Sequence, residues 1–522
     1  MTMRLLDLVS PSDAMVISGP TDALIQGLAY DSRQVRTGYL FFALPGLHAD
    51  GHDHIDAAIA AGAIAVVHEK PVDHAADGVA YIRVKDSRAS MSPIAARFNG
   101  LPSTKLAVVG VTGTEGKSTT VWLIYRLLDL AGKKAGFVST VEYRDSDKVE
   151  ANPEHQTTPE ATTVHGKLAR MVESGFEYAV LESSSHGLSP RTNRLGDVAF
   201  DVGVMTNVRH EHLEFHGTWE CYRSDKANLF RALDADVHEK TIRGTRVGVP
   251  SFGVACADDP SASYFKQATK RPVYTYSATQ AADLYATGAV IDDRGASFVI
   301  NHAGRSHPAR IELPGAFNIE NTLAAVLVVA KLTGLGIEAL LPLLPKLEPV
   351  RGRMTRIDLG QPYEVLVDYA HTPSSFEAIM PSMRQRIKGK LISVFSSGGE
   401  RDVQKRPAQG RIASRYCDVV ILADEDPRGE DPLALLEDIA SGCEGMQRDA
   451  NLFLIPDRAA AIRKAFSLAS PGDAVLLLGK GHENTIIYAH GPIPWNEIAE
   501  AERALNEAGY GSSHTVSGKE AP

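Results

Sequence analysis

Gly110-Val-Thr-Gly-Thr-Glu-Gly-Lys-Ser-Thr119 is the stretch that decides how this 522-residue chain is read. An apolar run, Leu106-Ala-Val-Val, precedes it. Behind it Val121, Ile124, Leu127 and Leu128 fall on one face of a helix. Strand, glycine-rich loop and helix in that order make a phosphate cradle, because glycines let backbone N–H groups close around phosphate oxygens and the helix N-terminus adds positive potential. Gly113, Thr114, Glu115 and Gly116 then line a nucleotide's phosphates. Lys117 reaches the β- and γ-phosphates of ATP, and Ser118 or Thr119 serves Mg²⁺. The spacing departs from a strict Gly-x4-Gly-Lys-Ser/Thr, since position 111 is Val and the nearest upstream glycine, Gly110, comes one residue early.

The alternation continues on either side. Tyr178-Ala-Val-Leu and Phe200-Asp-Val-Gly-Val-Met are further buried-type strands, which predicts a parallel sheet covered on both faces. From about residue 350 the strands Glu364-Val-Leu-Val, Leu391-Ile-Ser-Val-Phe, Asp418-Val-Val-Ile-Leu and Ala474-Val-Leu-Leu-Leu form a second α/β unit of Rossmann type, each running into a polar or Gly-rich loop. The first hundred residues hold short strands, Gly-rich turns, a helix from Ile55 to Gly62 and the strand Ala63-Ile-Ala-Val-Val. The expected architecture is α/β in three domains, 1–102, 103–345 and 346–522, with a frayed tail from Gly509.

Apolar residues make up 44% and charged residues 23%, the balance of a soluble globular chain. A formal net charge of −10 argues against a nucleic-acid partner, which needs a basic footprint. Cys221, Cys256, Cys417 and Cys443 show no metal-ligand spacing and read as reduced, buried thiols. The N-terminus lacks the pattern of a signal peptide, and no apolar run approaches the roughly 18 residues of a membrane span. A cytoplasmic location follows as an expectation.

Gly-x-Thr-Gly-Thr-x-Gly-Lys-Ser, with the same early glycine, resembles the phosphate loop of the Mur ligases and their folylpolyglutamate synthetase relatives. These activate a carboxylate with ATP as an acyl phosphate, which an amine then attacks. The chemistry concentrates negative charge on the acceptor and the γ-phosphate together, so two Mg²⁺ ions are reasonable, held by hard oxygen ligands. Glu182, at the end of Leu181-Glu-Ser-Ser-Ser-His, suits one of them. The resemblance adds that Glu182 and His212 bind metal. It also implies that Lys226 is carbamylated, which turns an amine into an oxygen ligand, so that Lys117, Lys226 and His212 form the catalytic set. Taken alone, His210 and His216 read as structural.

Further stretches resemble the branch that forms the UDP-muramoyl tripeptide. Ala29-Tyr-Asp-Ser-Arg-Gln-Val, Leu40-Phe-Phe-Ala-Leu-Pro-Gly and Asp50-Gly-His-Asp match its UDP-binding domain, with Ser32 on the uridine diphosphate. Thr157-Thr-Pro-Glu and Ser184 match residues beside the muramoyl dipeptide, so Thr157, Thr158 and Ser184 are expected there. Where that branch has Ser-Ser-His-x-Leu-x-Gln-x-Arg, Pro190 stands at the Gln position, and the anionic contact falls to Arg191 or Arg194. Asn318 and Asn321 are expected near adenine, with Arg353, Asp368 and His371 also on the nucleotide. Arg401, Asp426, Arg428, Gly479 and Glu483 are expected around the incoming amino acid. Asp426 replaces the Asn of the Asp-Asn-Pro-Arg usual in meso-diaminopimelate enzymes, an anion that would repel a distal carboxylate and attract a distal ammonium.

The resemblance thus implies a monomeric ligase, with no nucleic-acid or membrane partner. It would join a diamino acid (meso-diaminopimelate, L-lysine or L-ornithine) to UDP-N-acetylmuramoyl-L-Ala-D-Glu with ATP spanning the central and C-terminal domains. Folylpolyglutamate synthetase or another cell-wall ligase of the superfamily, a non-catalytic relative that binds a nucleotide sugar or regulates a partner, and a general P-loop NTPase are the rival readings.

Overall fold

Strand Ala107–Thr112 is buried along its whole length because parallel strands flank it on both sides, Tyr178–Glu182 and Val202–Met205. Two-sided burial is what the unbroken apolar run encodes. A computed structural model describes every residue except 1, 11–13, 47–48, 73–74, 155, 210–212, 236–237, 293 and 512–522. Two compact units result, one of residues 1–287, 300–307 and 320–344, the other of 288–299, 308–319 and 345–522.

The largest sheet has eleven strands. Its parallel run follows the order Ala135–Val138, Tyr178–Glu182, Ala107–Thr112, Val202–Met205, Phe252–Cys256, Val273–Ser277, Leu284–Ile291. Helix Lys117–Leu130 covers one face, and Val121, Ile124, Leu127 and Leu128 are each fully buried, as their spacing predicts. Ala296–His302 and Arg305–Ile311 extend the sheet at one edge, and Glu142–Arg144 and Glu150–Ala151 at the other.

The N-terminal part of the same unit has its own five-stranded sheet, in the order Val16–Ser18, Ala80–Arg83, Ala63–His68, Tyr39–Phe42, Gly27–Ala29. Side-chain alternation sorts its core: Leu40 and Phe42 join one apolar cluster, Phe41 and Ala43 the other. The expected helix from Ile55 runs to Ala60, and Ala61 and Gly62 close its last turn.

The second unit holds a six-stranded sheet ordered Thr355–Ile357, Glu364–Asp368, Ala474–Leu478, Leu391–Phe395, Val419–Leu422, Leu452–Leu454. All pairs are parallel except the first. Leu366, Phe395 and Leu476 face one core, while Val367, Val394 and Leu477 face the other, so both faces are covered as expected of a Rossmann-type sheet. Thr372 caps helix Pro373–Arg386 with a reciprocal capping box to Ser375, and Asp431 and Asp457 cap the helices Pro432–Ala440 and Arg458–Leu468.

One expectation fails. Cys256, Cys417 and Cys443 are buried, but Cys221 is exposed, because it lies on the solvent side of helix Trp219–Ala232. His210, His212 and most of the tail lie outside the described residues. Among the described residues no single helix is long and apolar enough to cross a membrane.

Candidate active site

The glycine-rich loop leaves strand Ala107–Thr112 and enters helix Lys117–Leu130 through two residues that only glycine fits. Gly113 has φ +151°, and a Cβ there would stand 1.8 Å from Thr206 Oγ1. Gly116 has φ +80°, with Asn321 Oδ1 2.7 Å from the Cβ position. Side chains brace the loop from below: Asn207 Oδ1 accepts from the Glu115 amide at 2.9 Å, and Thr206 Oγ1 donates to the Glu115 carbonyl at 2.6 Å. Lys117 folds back, Nζ donating to the Thr114 carbonyl at 2.7 Å. Asn321 meets the same segment, accepting from Thr120 Oγ1 at 3.2 Å.

Ser118 and Glu182 come together at the ends of adjacent elements. The Ser118 hydroxyl donates to the Glu182 carboxylate at 3.0 and 3.1 Å, and the Thr140 amide holds Oε2 at 2.8 Å. Ser118 and Glu182 are each only 4% exposed, whereas Thr119 is half-buried. A hydroxyl and a carboxylate are hard oxygen donors, and Mg²⁺ takes one or two such protein groups beside phosphate oxygens, so the pair fits the ion. Among the described residues no larger cage of His, Cys, Asp or Glu is present. Lys226 is buried, its Nζ donating to the Gly113 carbonyl at 2.6 Å.

On the far side of Glu182, Thr158 Oγ1 donates to the Glu182 carbonyl at 2.9 Å and accepts from the Ser184 amide at 3.0 Å. The Ser184 hydroxyl accepts from Gly187 N and caps the short helix Ser185–Leu188. Arg194 is drawn inward, donating to the Thr158 carbonyl at 2.9 Å and to Glu160 at 2.8 Å, where Arg88 also binds. Arg191 is more open, stacked 5.4 Å from the Phe215 ring with one bond to its carbonyl. Thr157 is half-buried beside Thr158. Ser32 opens a single 3-10 turn, Ser32–Gln34, after the strand Gly27–Ala29.

In the second unit the strand ends carry the expected residues. Asp368 accepts from the Met354 and Ala370 amides at 2.7 Å each; burial raises its carboxyl and the nearby Arg353 pulls it back. Arg353 lies 4.7 Å over the Tyr369 ring, and the Tyr369 hydroxyl donates to Glu483 at 3.2 Å. His371 Nδ1 bonds the Tyr369 carbonyl at 2.9 Å. Asn318 Nδ2 donates to the Pro314 carbonyl at 2.6 Å, and Arg401 is exposed.

Sequence alone gives no reason to single out Lys480, yet it is the hub of this region. Its fully buried Nζ donates to Asp426 at 2.9 Å and to Glu483 at 2.5 Å. Burial works against its charge, but Glu483 and Asp426 outweigh burial and keep the ammonium protonated. Asp426 also accepts from the Ile487 amide at 3.0 Å, with Arg428 3.9 Å away. Its charge is therefore engaged inside the protein rather than free. Gly479, at φ +100°, packs on Glu425, whose Oε2 would lie 2.4 Å from a Cβ. Burial pushes the Glu425 carboxyl up to about 7, against the pull of Lys405 and Lys480.

Three Mur ligase domain descriptions match the chain in succession: the catalytic domain over residues 24–99, the middle domain over 111–329 and the glutamate ligase domain over 352–481. A UDP-N-acetylmuramyl-tripeptide synthetase of Treponema denticola is 49% identical over 97% of this chain and 98% of its own. A UDP-N-acetylmuramoyl-L-alanyl-D-glutamate–2,6-diaminopimelate ligase of Geobacillus kaustophilus is 36% identical over 97% of this chain and 100% of its own. A solved structure of a ligase of that same description superposes with a TM-score of 0.63 at 28% identity, covering 98% of this chain and 100% of that one. The order of these matches follows the order of the three sheets along the sequence, and the chain belongs to the Mur ligase family.

Proposed function

We propose that this ligase adds a diamino acid to the D-Glu side-chain carboxylate of UDP-N-acetylmuramoyl-L-Ala-D-Glu, the third amino acid of a peptidoglycan precursor. The observation that carries this reading is the near-full-length likeness to a tripeptide synthetase, 49% identity over 97% of the chain. The division into three domains, 1–102, 103–345 and 346–522, is supported by the successive family matches over 24–99, 111–329 and 352–481.

In the reaction the substrate carboxylate oxygen attacks the γ-phosphorus of ATP, ADP leaves, and an acyl phosphate forms. The amine nitrogen then attacks the acyl carbon, inorganic phosphate leaves, and the nitrogen loses its proton. Lys117, released from Thr114, neutralises the γ-phosphate, while the loop Gly113–Ser118 and the helix N-terminus behind it cradle the phosphate chain. Ser118 and Glu182 would hold Mg²⁺, His212 would also bind metal, and a carbamylated Lys226 would give a second ion an oxygen ligand; the ions would supply charge neutralisation at the phosphates. Thr157, Thr158, Ser184 and the open Arg191 receive the dipeptide, since Arg194 is already committed to Glu160. Ser32 lies with the uridine diphosphate, and Asn318, Asn321, Arg353, Asp368 and His371 with the nucleotide of ATP.

Around the incoming amino acid, Glu483 takes an ammonium and Arg401 a carboxylate. Because Lys480 already engages Asp426, the repulsion expected of that anion is muted. Arg428 and Asp426 stand 3.9 Å apart, so the distal carboxylate of meso-diaminopimelate has a cation to meet and the distal ammonium of all three diamino acids keeps an anion. Both nucleotide substrates are cytoplasmic metabolites, which supports a cytoplasmic enzyme; the monomeric state rests on the family resemblance alone.

ADP release measured with UDP-N-acetylmuramoyl-L-Ala-D-Glu, Mg²⁺ and bicarbonate, offering each of the three diamino acids in turn, tests this reading. Turnover with one of them is expected. Folded protein that releases no ADP with any of the three would overturn it.

A further inference from the structure

His216 is buried between the serine loop after Glu182 and helix Trp219–Ala232. Its Nδ1 lies 2.8 Å from Asp225 Oδ2 and its Nε2 3.0 Å from Ser185 Oγ. A carboxylate only accepts, so in the neutral ring Nδ1 carries the proton and donates to Asp225, and Nε2 accepts from the Ser185 hydroxyl. Each neighbour leads to a residue assigned above. Asp225 precedes Lys226, whose Nζ bonds the Gly113 carbonyl. Tyr222, one turn earlier, sets its ring 5.1 Å from the imidazole and its hydroxyl 3.0 Å from Thr114 Oγ1. Ser185 follows Ser184, whose amide is held by Thr158.

Packing alone does not account for a histidine here, since an apolar ring would fill the space without two polar contacts to satisfy in a buried site. A donor at one end and an acceptor at the other is what a neutral imidazole offers. The same atom order occurs in nucleophilic triads, but Ser185 is only 2% exposed and closed to a substrate carbonyl. The arrangement holds rather than attacks.

We propose that His216 is a positioning residue of the ligase, fixing the serine loop to the helix that carries Tyr222 and Lys226, and through them to the phosphate loop. The identity of the substrate on the serine side rests on the proposed function; the tie to the phosphate loop does not.

Asparagine at this position sets an amide near Nδ1, and glutamine sets one near Nε2, so the two variants each keep one contact. ADP binding by calorimetry reports the phosphate loop, and binding of UDP-N-acetylmuramoyl-L-Ala-D-Glu reports the serine loop. His216→Asn is expected to bind ADP within about threefold of the unaltered protein and the muramoyl dipeptide about tenfold more weakly, the loss of one buried hydrogen bond. His216→Gln is expected to show the reverse, and His216→Ala to weaken both and lower kcat about tenfold or more while still melting cooperatively. Equal losses in the Asn and Gln variants that merely track their melting temperatures, or unchanged binding in His216→Ala, would overturn the proposal. If the unaltered enzyme binds ADP but neither binds nor turns over the muramoyl dipeptide, the substrate assignment fails, and the ADP measurements still decide the role of His216.

Discussion

A single carboxyl shows how far local context can move chemistry. Glu425 stands in the legible stretch Glu425-Asp-Pro-Arg, but nothing in that stretch announces that its Oε2 finds no hydrogen-bond partner among the described residues. Gly479, remote in sequence, closes over it, and burial raises its pKa to about 7. The folded protein therefore keeps a proton that the unfolded chain releases near the ordinary 4.5, so this group costs stability as pH rises from about 4.5 to about 7. Glu425→Gln keeps the shape and removes the ionisation. In urea titrations its stability relative to the unaltered protein should grow between about pH 5 and pH 8, and parallel profiles would show that Glu425 ionises as freely as an exposed residue. Lys480 and His216 escaped sequence because one partner of each, Asp426 and Ser185, stands far from it along the chain. Lys117, Ser118 and Glu182 were legible because adjacent parallel strand ends bring their motifs together.

Among the elements, legibility followed burial. Helix Lys117–Leu130 could be read from the spacing of its apolar residues because one face alone is packed, and the central parallel strands because both faces are. Leu127 is fully buried on that helix, so Leu127→Ala should cost about 3 kcal/mol of unfolding free energy through lost transfer and an imperfectly closed cavity. Urea unfolding measures that loss; ADP affinity should hold, because the loop is set by Gly113, Gly116 and their braces rather than by this side chain. A loss under about 1 kcal/mol would mean that the helix repacks easily. Strands Leu284–Ile291 and Arg305–Ile311 went unread for a complementary reason. Much of each is exposed or half-buried, and their mixed composition carries no clean period of two.

At the scale of the whole molecule, three sheets in sequence order and covered faces were legible, since composition, length and the strand–helix alternation constrain them together. The division into two compact units is not written in any local pattern, because the grouping depends on long-range packing and the strands from Leu284 onward are divided between the units. Each unit has its own apolar clusters, so amide exchange should be slowest in the inner strands of each sheet and fastest at the loops. One strand sharpens this into a timing statement. The amides of Val108 to Val111, walled in by parallel partners on both edges, should be among the last in their unit to pick up deuterium, whereas those of Thr114 and Glu115, held through the loop residue Asn207, should label sooner. The nucleotide loop is thus anchored to the slowest-opening part of its unit while remaining free to open itself. Binding of ADP should then show as a late shoulder in the labelling of the loop alone, leaving the strand that launches it unchanged.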